Sequence, residues 1–438
     1  MDFSSTLNSN KFKSKPLAKA LSLSVINQAV SSGSNFILGL YLVRILSPAE
    51  FGLYGIGFAV CMFYAGAGNA LFLTQMTVHL PDKTPEEINN YIGRMLILVV
   101  IVCLCTLALS AVLLLITGFI LKKSNSYSGF LSAVTVASVS YLLKDFFIRH
   151  AYNKSAELKA LWINVVLSIT MILSLVGLFI TQIKLTSETA LYVYAGAHLI
   201  AIGFGFTQSG ISIRLYNLSD LGRDLAEAWW HGKWALLQNF VYWLRTQAYT
   251  YVCLVFIGIE AVGVINAARI LISPVIFILP AVSQMMLPRL SANRKDHQQV
   301  LQQTKTVAAV LFMLAATYSL IILLNLNFAI NMGLGKQYAQ QEYITSIAIV
   351  WCVIMSIQVV QTCLGTLSQA LKLFKKWASA NFIGAVVSIL FAAILCSLYG
   401  VVGSVLGTLS GEIVLLAIMW YQLFVLKSDC KTVNYAKS

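Results

Sequence analysis

Three ionisable residues stand near the middle of long apolar stretches: Arg245, Arg269 and Glu412. A charge at the centre of a membrane-spanning helix costs about 2.5–3.5 kcal/mol on insertion scales, so it is kept where it faces a polar interior. Two cations against one anion predict a cavity at mid-membrane that is net cationic, and a ligand that carries negative charge. The plainer alternative is a structural ion pair between Glu412 and one arginine, which still leaves one cation unmatched. Depth favours a shared site. At 1.5 Å per residue, Arg245 is roughly 16 Å from the inner end of its stretch near Trp234, Arg269 roughly 14 Å from the outer end near Glu260, and Glu412 roughly 18 Å from the outer end near Gly400.

Uncharged polar residues recur beside these charges. The first apolar stretch carries Ser24, Asn27, Gln28, Ser31, Ser34 and Asn35, and the seventh carries Gln238, Asn239, Tyr242, Arg245, Thr246 and Tyr249. Spacings of three, four and seven put such residues on one helix face. Polar residues also serve as glue between helices, worth only about 0.6 kcal/mol per contact, but two matching stripes favour a shared water-lined cavity. The expected binding set is therefore Asn27, Gln28, Ser31, Gln238, Asn239 and Tyr242 around Arg245 and Arg269. In the fourth stretch the i, i+4 spacing predicts an Asp145–Arg149 pair, leaving Lys144 to line an inner vestibule. Arg269 is followed by Pro274 and Pro280; each proline removes a helix hydrogen bond, so the eighth helix is expected to bend beside its arginine.

The elements that must position these residues are membrane helices. Of the 438 residues, 58% are hydrophobic and only 11% charged, where a soluble protein carries about 25% charged residues. Mean hydropathy is +0.80. The chain reads as an all-α integral membrane protein with about twelve apolar stretches, each long enough for a bilayer core of about 30 Å. With the N-terminus placed in the cytoplasm, 23 of the 30 Lys and Arg residues fall on the inner side. Five fall outside (Arg44, Lys122, Lys123, Lys184 and Lys336), and the remaining two are Arg245 and Arg269. That bias predicts cytoplasmic termini. The net charge of +14 is spread over short inner loops with no contiguous basic and aromatic patch, which argues against a nucleic-acid partner and for anionic membrane lipid. Six tryptophans, Trp162, Trp229, Trp230, Trp234, Trp377 and Trp420, fall near expected inner ends as an interfacial belt.

The longest polar connection, 214–234, has Leu215, Leu218, Leu221, Leu225 and Ala228 at helical spacing. It predicts an amphipathic cytoplasmic linker helix between two six-helix lobes, 1–213 and 235–438. Ile26–Val60 can be laid on Leu237–Leu271 almost without gaps, bringing Asn27-Gln28 onto Gln238-Asn239 and Ser34 onto Arg245. The lobes are thus a parallel repeat, and substrate sites in such folds lie at the lobe interface near the midplane. Gly403, Gly407 and Gly411 form a small-residue packing face beside Glu412. Seven cysteines lie within the stretches and Cys430 in the tail, which excludes a disulfide framework. There is no phosphate loop, no H-E-x-x-H and no Cys/His cluster, so no cofactor, metal or built-in ATPase is expected.

The run from Asn35 to Tyr54, NFILGLYLVRILSPAEFGLY, resembles the opening of polysaccharide transporters, the lipid-linked oligosaccharide flippases related to the multidrug-and-toxin-extrusion (MATE) fold. Its core, R-x-L-S-P-x-x-F-G-x-Y from Arg44 to Tyr54, is specific for the family and silent on the substrate. The resemblance implies a bacterial inner-membrane flippase, not an enzyme. It would move undecaprenyl-diphosphate-linked O-antigen or capsule repeat units outward, alongside a polysaccharide polymerase and a chain-length regulator. On that reading Arg269 meets the diphosphate first and Arg245 second, and Glu412 binds a coupling proton or cation. A multidrug antiporter of the same fold is the competing implication; such proteins use an acid in an N-lobe span, and the first three stretches here contain no Asp or Glu. A membrane polymerase would need a sizeable outer loop, which the chain lacks.

Overall fold

The computed structural model describes residues 17–80, 83–121, 125–211, 214, 216–294 and 296–435. Lys11, Lys13 and Lys15, expected on the inner side, and Lys122 and Lys123, expected on the outer side, lie outside the described residues. Among those described, everything that crosses the molecule is helical. The elements are α1 (Leu17–Ile45), α2 (Pro48–His79, with a π-helical turn at Asn69–Leu73), α3 (Pro85–Leu121), α4 (Asn125–Asn153), α5 (Glu157–Thr181) and α6 (Ser187–Ser209). They continue with α7 (Leu218–Phe256), α8 in three pieces (Ile259–Ile270, Ser273–Ile276 and Leu279–Ala292), α9 (His297–Leu324) and α10 (Ile344–Ala370). The last helical run, Phe374–Tyr435, turns at Gly400 (φ 60°), which divides it into α11 (374–399) and α12 (401–435).

Among the described residues nine helices are apolar and long enough to cross a membrane, the last of them being the α11–α12 pair. Helices α1 and α7 are long enough but more polar, because they carry the two Ser/Asn/Gln stripes. With these included and the pair divided at Gly400, the fold makes twelve passes. The lipid-facing surface bears the large apolar side chains: Leu109, Phe179 and Leu324 are all more than two-thirds exposed. Bilayer tails cover such a surface, so helix association rests on close packing and polar contacts instead. The Gly403, Gly407 and Gly411 face is one such contact, since a Cβ on Gly407 would fall 2.1 Å from Ala392 Cα on α11.

Two pseudo-symmetric lobes result. In the first, α1 packs on α5, α2 and α5 on α4 and α6; in the second, α7 packs on the α11–α12 pair and α10 on α9 and α12. The lobes meet where α2 crosses α8, and the meeting is reciprocal. A Cβ on Gly52 would lie 2.3 Å from Ile259 O, and one on Gly263 would lie 1.9 Å from Pro48 O. Gly52 corresponds to Gly263, and Pro48 to Ile259, under the same 211-residue shift that superposes the polar stripes. Helix boundaries obey it too: α1 ends at Ile45 and α7 at Phe256, α2 starts at Pro48 and α8 at Ile259. Only glycine lets two backbones approach so closely, so this crossing admits no larger residue at either position.

The Arg44–Tyr54 run supplies this closure. Ser47 caps α2 by accepting from the Glu50 N–H, and Pro48 occupies the first helical turn. Glu50 accepts from Ser187 N (2.7 Å) at the start of α6, Arg44 Nε donates to Gly333 O (3.3 Å), and Gln337 donates to Val43 O and Leu46 O at 2.8 and 2.7 Å. The Arg44 and Gln337 bonds tie the lobes together at the end poor in Lys and Arg, while the Glu50 bond braces α2 within the first lobe.

One boundary differs from expectation. The segment read as a separate linker helix, 214–234, is from Leu218 onward the first part of α7, which runs unbroken from Leu218 to Phe256. Its amphipathic pattern is real, with Leu221 and Ala228 buried and Trp229 and Trp230 exposed. It contains no proline, and of its two glycines, Gly222 and Gly232, the second is held against Leu71. Nothing in the sequence stops the helix, so it continues into the bilayer.

Candidate functional site

A cavity of about 540 Å³ lies between α1, α2, α4 and α5 of the first lobe and α7 and α8 of the second. It reaches from Ser24 on α1 and Tyr152 in the last turn of α4 to Arg269 on α8. The α1 stripe faces it as its spacing requires: Asn27, Gln28 and Ser31 all line the wall. Asn27 is fixed by accepting from Asn164 Nδ2 (2.8 Å) on α5 and donating to the Tyr152 hydroxyl (2.7 Å) on α4. Gln28 donates within its own helix to Ser32 Oγ (3.0 Å), so its carbonyl stays available to the cavity.

Two cations line this space. Lys144 is nearly buried, sits 4.4 Å from the centroid of the Tyr141 ring, and pairs with Asp145 at 2.7 Å. The expected Asp145–Arg149 pair is therefore corrected. Arg149 turns to Asn69 Oδ1 (3.2 Å) at the π-turn of α2, and the flexible lysine stem folds back onto the carboxylate of its sequence neighbour.

Arg269 stands at the last turn of the first piece of α8. Its Nη1 donates to the Tyr249 hydroxyl (2.8 Å), which donates to Asn266 Oδ1 (3.0 Å), and its guanidinium lies 5.3 Å from the Trp351 ring centroid. Among the described residues it meets no carboxylate within ion-pair distance. Tyrosine and tryptophan faces orient a guanidinium without cancelling its charge. The helix breaks immediately afterwards, as Pro274 and Pro280 require, and side chains satisfy the freed backbone: Ser273 Oγ donates to Arg269 O and Tyr318 OH to Leu271 O.

Arg245 has the opposite fate. It forms an ion pair with Glu412, a carboxylate with no exposed surface that also accepts from Gln358 Nε2 at 3.0 Å. The trio of mid-helix charges thus divides into one closed pair and one open cation, and the single net cationic cavity expected from it is two compartments. Arg245 and Tyr242 line a second pocket, of about 270 Å³, on the other side of α8. Asn239 is spent on the lobe contact, donating to Phe63 O at 3.5 Å, and Gln238 lines neither space.

The sequence reading missed a third stripe. Gln358, Gln361, Thr362, Thr366 and Gln369 line the second pocket from one face of α10. The spacing rule that exposed the α1 and α7 stripes applies here equally, but no charge drew attention to it. Trp377 also departs from the interfacial belt: it is half-buried and lines this pocket, whereas Trp162, Trp229, Trp230, Trp234 and Trp420 are exposed.

A sequence profile of the family described as polysaccharide biosynthesis protein matches residues 41–342, most of the chain. The chain belongs to that family. Among curated proteins it is 23% identical over 349 residues, 76% of this chain and 78% of its relative, to a candidate O-antigen transporter of Escherichia coli (strain K12). Among solved structures it is similar to an inward-facing multidrug resistance MATE family transporter of the MOP superfamily, with TM-score 0.74 and 13% identity over 94% of this chain and 99% of that one. It is also similar to the lipid II flippase MurJ in an inward closed conformation, with TM-score 0.70 and 14% identity over 93% and 87% of the two chains. For this member of the polysaccharide biosynthesis family, the resemblance read from the Arg44–Tyr54 motif and the MATE-like fold are both upheld. Within it the motif closes the lobe interface, and the cations that line the first cavity, Lys144 and Arg269, lie elsewhere.

Proposed function

We propose that the protein is a flippase that carries an undecaprenyl-diphosphate-linked oligosaccharide, an O-antigen or capsule repeat unit, across the bacterial inner membrane. The carrying observation is Arg269, a mid-helix guanidinium that lines a polar cavity with no carboxylate partner among the described residues. A diphosphate supplies what such a cation lacks. Lys144 is the second contact, and Asn27, Gln28 and Ser31 offer hydrogen bonds to water or sugar along the path. Arg245 and Tyr242 would be reached later, from the second pocket, while Asn239 acts through the lobe contact.

In this reading both termini are cytoplasmic, the cavity opens toward the cytoplasm, and the Gly52–Gly263 crossing is the closed periplasmic gate. The lobes, 1–213 and 235–438, exchange that closure for one at the other end about the broken α8. The lipid tail stays in the bilayer and the glycan is moved without being changed. A polymerase and a chain-length regulator act on the product afterwards. Glu412 is the coupling group, since a proton there would free Arg245 to face the second pocket.

The test is a strain lacking the chromosomal gene, complemented with wild type, Arg269→Ala or Arg269→Lys. Surface polysaccharide and extracted lipid-linked units are measured together. Arg269→Ala should lose the surface polymer and accumulate intact lipid-linked units on the inner leaflet, and Arg269→Lys should restore part of both. Normal polysaccharide from the alanine variant, or altered drug sensitivity with normal polysaccharide, would overturn the proposal.

A further inference from the structure

The second pocket is poorly suited to an anion, because Glu412 already neutralises Arg245. Its walls mix amides and hydroxyls with apolar side chains such as Leu279, Pro280 and Leu415, an amphipathic lining that suits a sugar ring better than a lipid tail. Gln358, Thr362 and Gln369 face it from α10, Asn381 and Trp377 from α11, and Tyr242 from α7. Amide groups present a donor and an acceptor side by side, which matches adjacent sugar hydroxyls, and an aromatic ring offers an apolar face to the C–H side of a pyranose. The amides are part-used: Gln358 and Gln361 each give an N–H to Glu412 at 3.0 and 2.8 Å, and Asn381 gives one to Trp377 O at 2.9 Å. Their carbonyl oxygens remain for a ligand. Among the described residues Gln369 makes no side-chain hydrogen bond, and Arg245, itself nearly all buried, holds Nε without an acceptor. A buried donor left this way is costly, and a ligand hydroxyl would satisfy it.

We propose that this pocket is a saccharide subsite that holds one sugar ring of the transported molecule. Its volume of about 270 Å³ is close to the lower end of small-molecule sites, roughly 300–1,000 Å³, and corresponds to about nine water molecules at ~30 Å³ each. One ring with its hydroxyls fits. Ile276, in the middle piece of α8, walls both this pocket and the Arg269 cavity, so a molecule with an anionic end and a sugar end engages the two across one short broken helix. The inference rests on the flippase reading for what joins those ends.

The experiment uses the full chain in lipid nanodiscs. It measures equilibrium binding of bare undecaprenyl diphosphate and of undecaprenyl diphosphate carrying one hexose or one N-acetylhexosamine. Wild type, Trp377→Ala, Trp377→Phe and Gln369→Leu are compared, with monodispersity as the folding control. The expected result is at least tenfold tighter binding of a glycosylated lipid than of the bare one by wild type. Trp377→Ala and Gln369→Leu should erase that difference while bare-lipid binding stays, and Trp377→Phe should keep most of it. Equal wild-type affinity for bare and glycosylated lipids overturns the subsite and leaves the flippase reading standing. So does an affinity difference that survives both variants, or a variant that weakens both lipids alike. Wild type that binds neither lipid overturns the flippase reading itself.

Discussion

Arg245 meets Glu412 inside the second lobe, where the carboxylate is wholly buried and held further by Gln358, whereas Arg269 meets a phenol and two aromatic rings at the wall of a cavity. Both began as arginines in mid-helix, equally costly to insert. The difference teaches that depth and charge alone do not mark a ligand site; what marks it is the absence of a counter-charge. The largest effect that separates the two regions is on stability. Removing one member of a buried pair leaves the other charge uncompensated, at about 3–5 kcal/mol, while replacing both with apolar groups is often neutral. Glu412→Ala should therefore lower the melting temperature and monodisperse yield severely, and the Arg245→Met/Glu412→Leu double variant should regain most of both. A single variant as stable as wild type would break the comparison.

Arg269 predicts the reverse pattern. Its partners are neutral and remain satisfied by one another, since Tyr249 still donates to Asn266. Arg269→Ala should leave the melting temperature within a few degrees of wild type while lowering transport about 100-fold, equivalent to about 2.7 kcal/mol. Flipping of a fluorescent diphosphate-linked lipid in proteoliposomes measures the rate. If stability falls as far as in Glu412→Ala, Arg269 is a structural residue and the cavity has lost its distinguishing cation.

Much of this arrangement was legible in the chain, and what was not had physical reasons. The 211-residue repeat was readable because polar residues recur at one offset, Asn27-Gln28 falling on Gln238-Asn239 and Ser34 on Arg245, and the helix boundaries at 47–48 and 258–259 keep the same offset. The break in α8 was readable from two prolines. The closed Arg245–Glu412 pair was open to either reading, because sequence spacing within one helix cannot report which distant helix a charge will face. The α10 stripe was hidden for another reason. Neutral amides on an apolar helix cost little, so they raise no alarm, and only the pocket they share with Trp377 and Asn381 reveals them. Lys144 took the partner expected for Arg149 because the i, i+4 rule assumes that both side chains lie on a free helix surface. Here Arg149 had Asn69 on another helix to answer.

The smallest predicted effects separate two neighbours on α1 and sharpen the same lesson within the first cavity. Asn27 joins three helices through Tyr152 and Asn164, and both partners lose a bond if it is truncated. A buried donor or acceptor left unsatisfied costs about 1–3 kcal/mol, so Asn27→Ala should show a clear drop in melting temperature. Among the described residues the Gln28 side chain bonds only to Ser32 on its own helix, and a surface-like change away from packed features is usually within about 0.5 kcal/mol. Gln28→Ala should thus melt with wild type, and any defect it shows should appear in transport alone. Equal destabilisation by both variants would mean that the whole α1 stripe is helix glue. A transport defect confined to Gln28→Ala would instead assign the stripe two jobs, with Asn27 bracing the wall and Gln28 facing what passes along it.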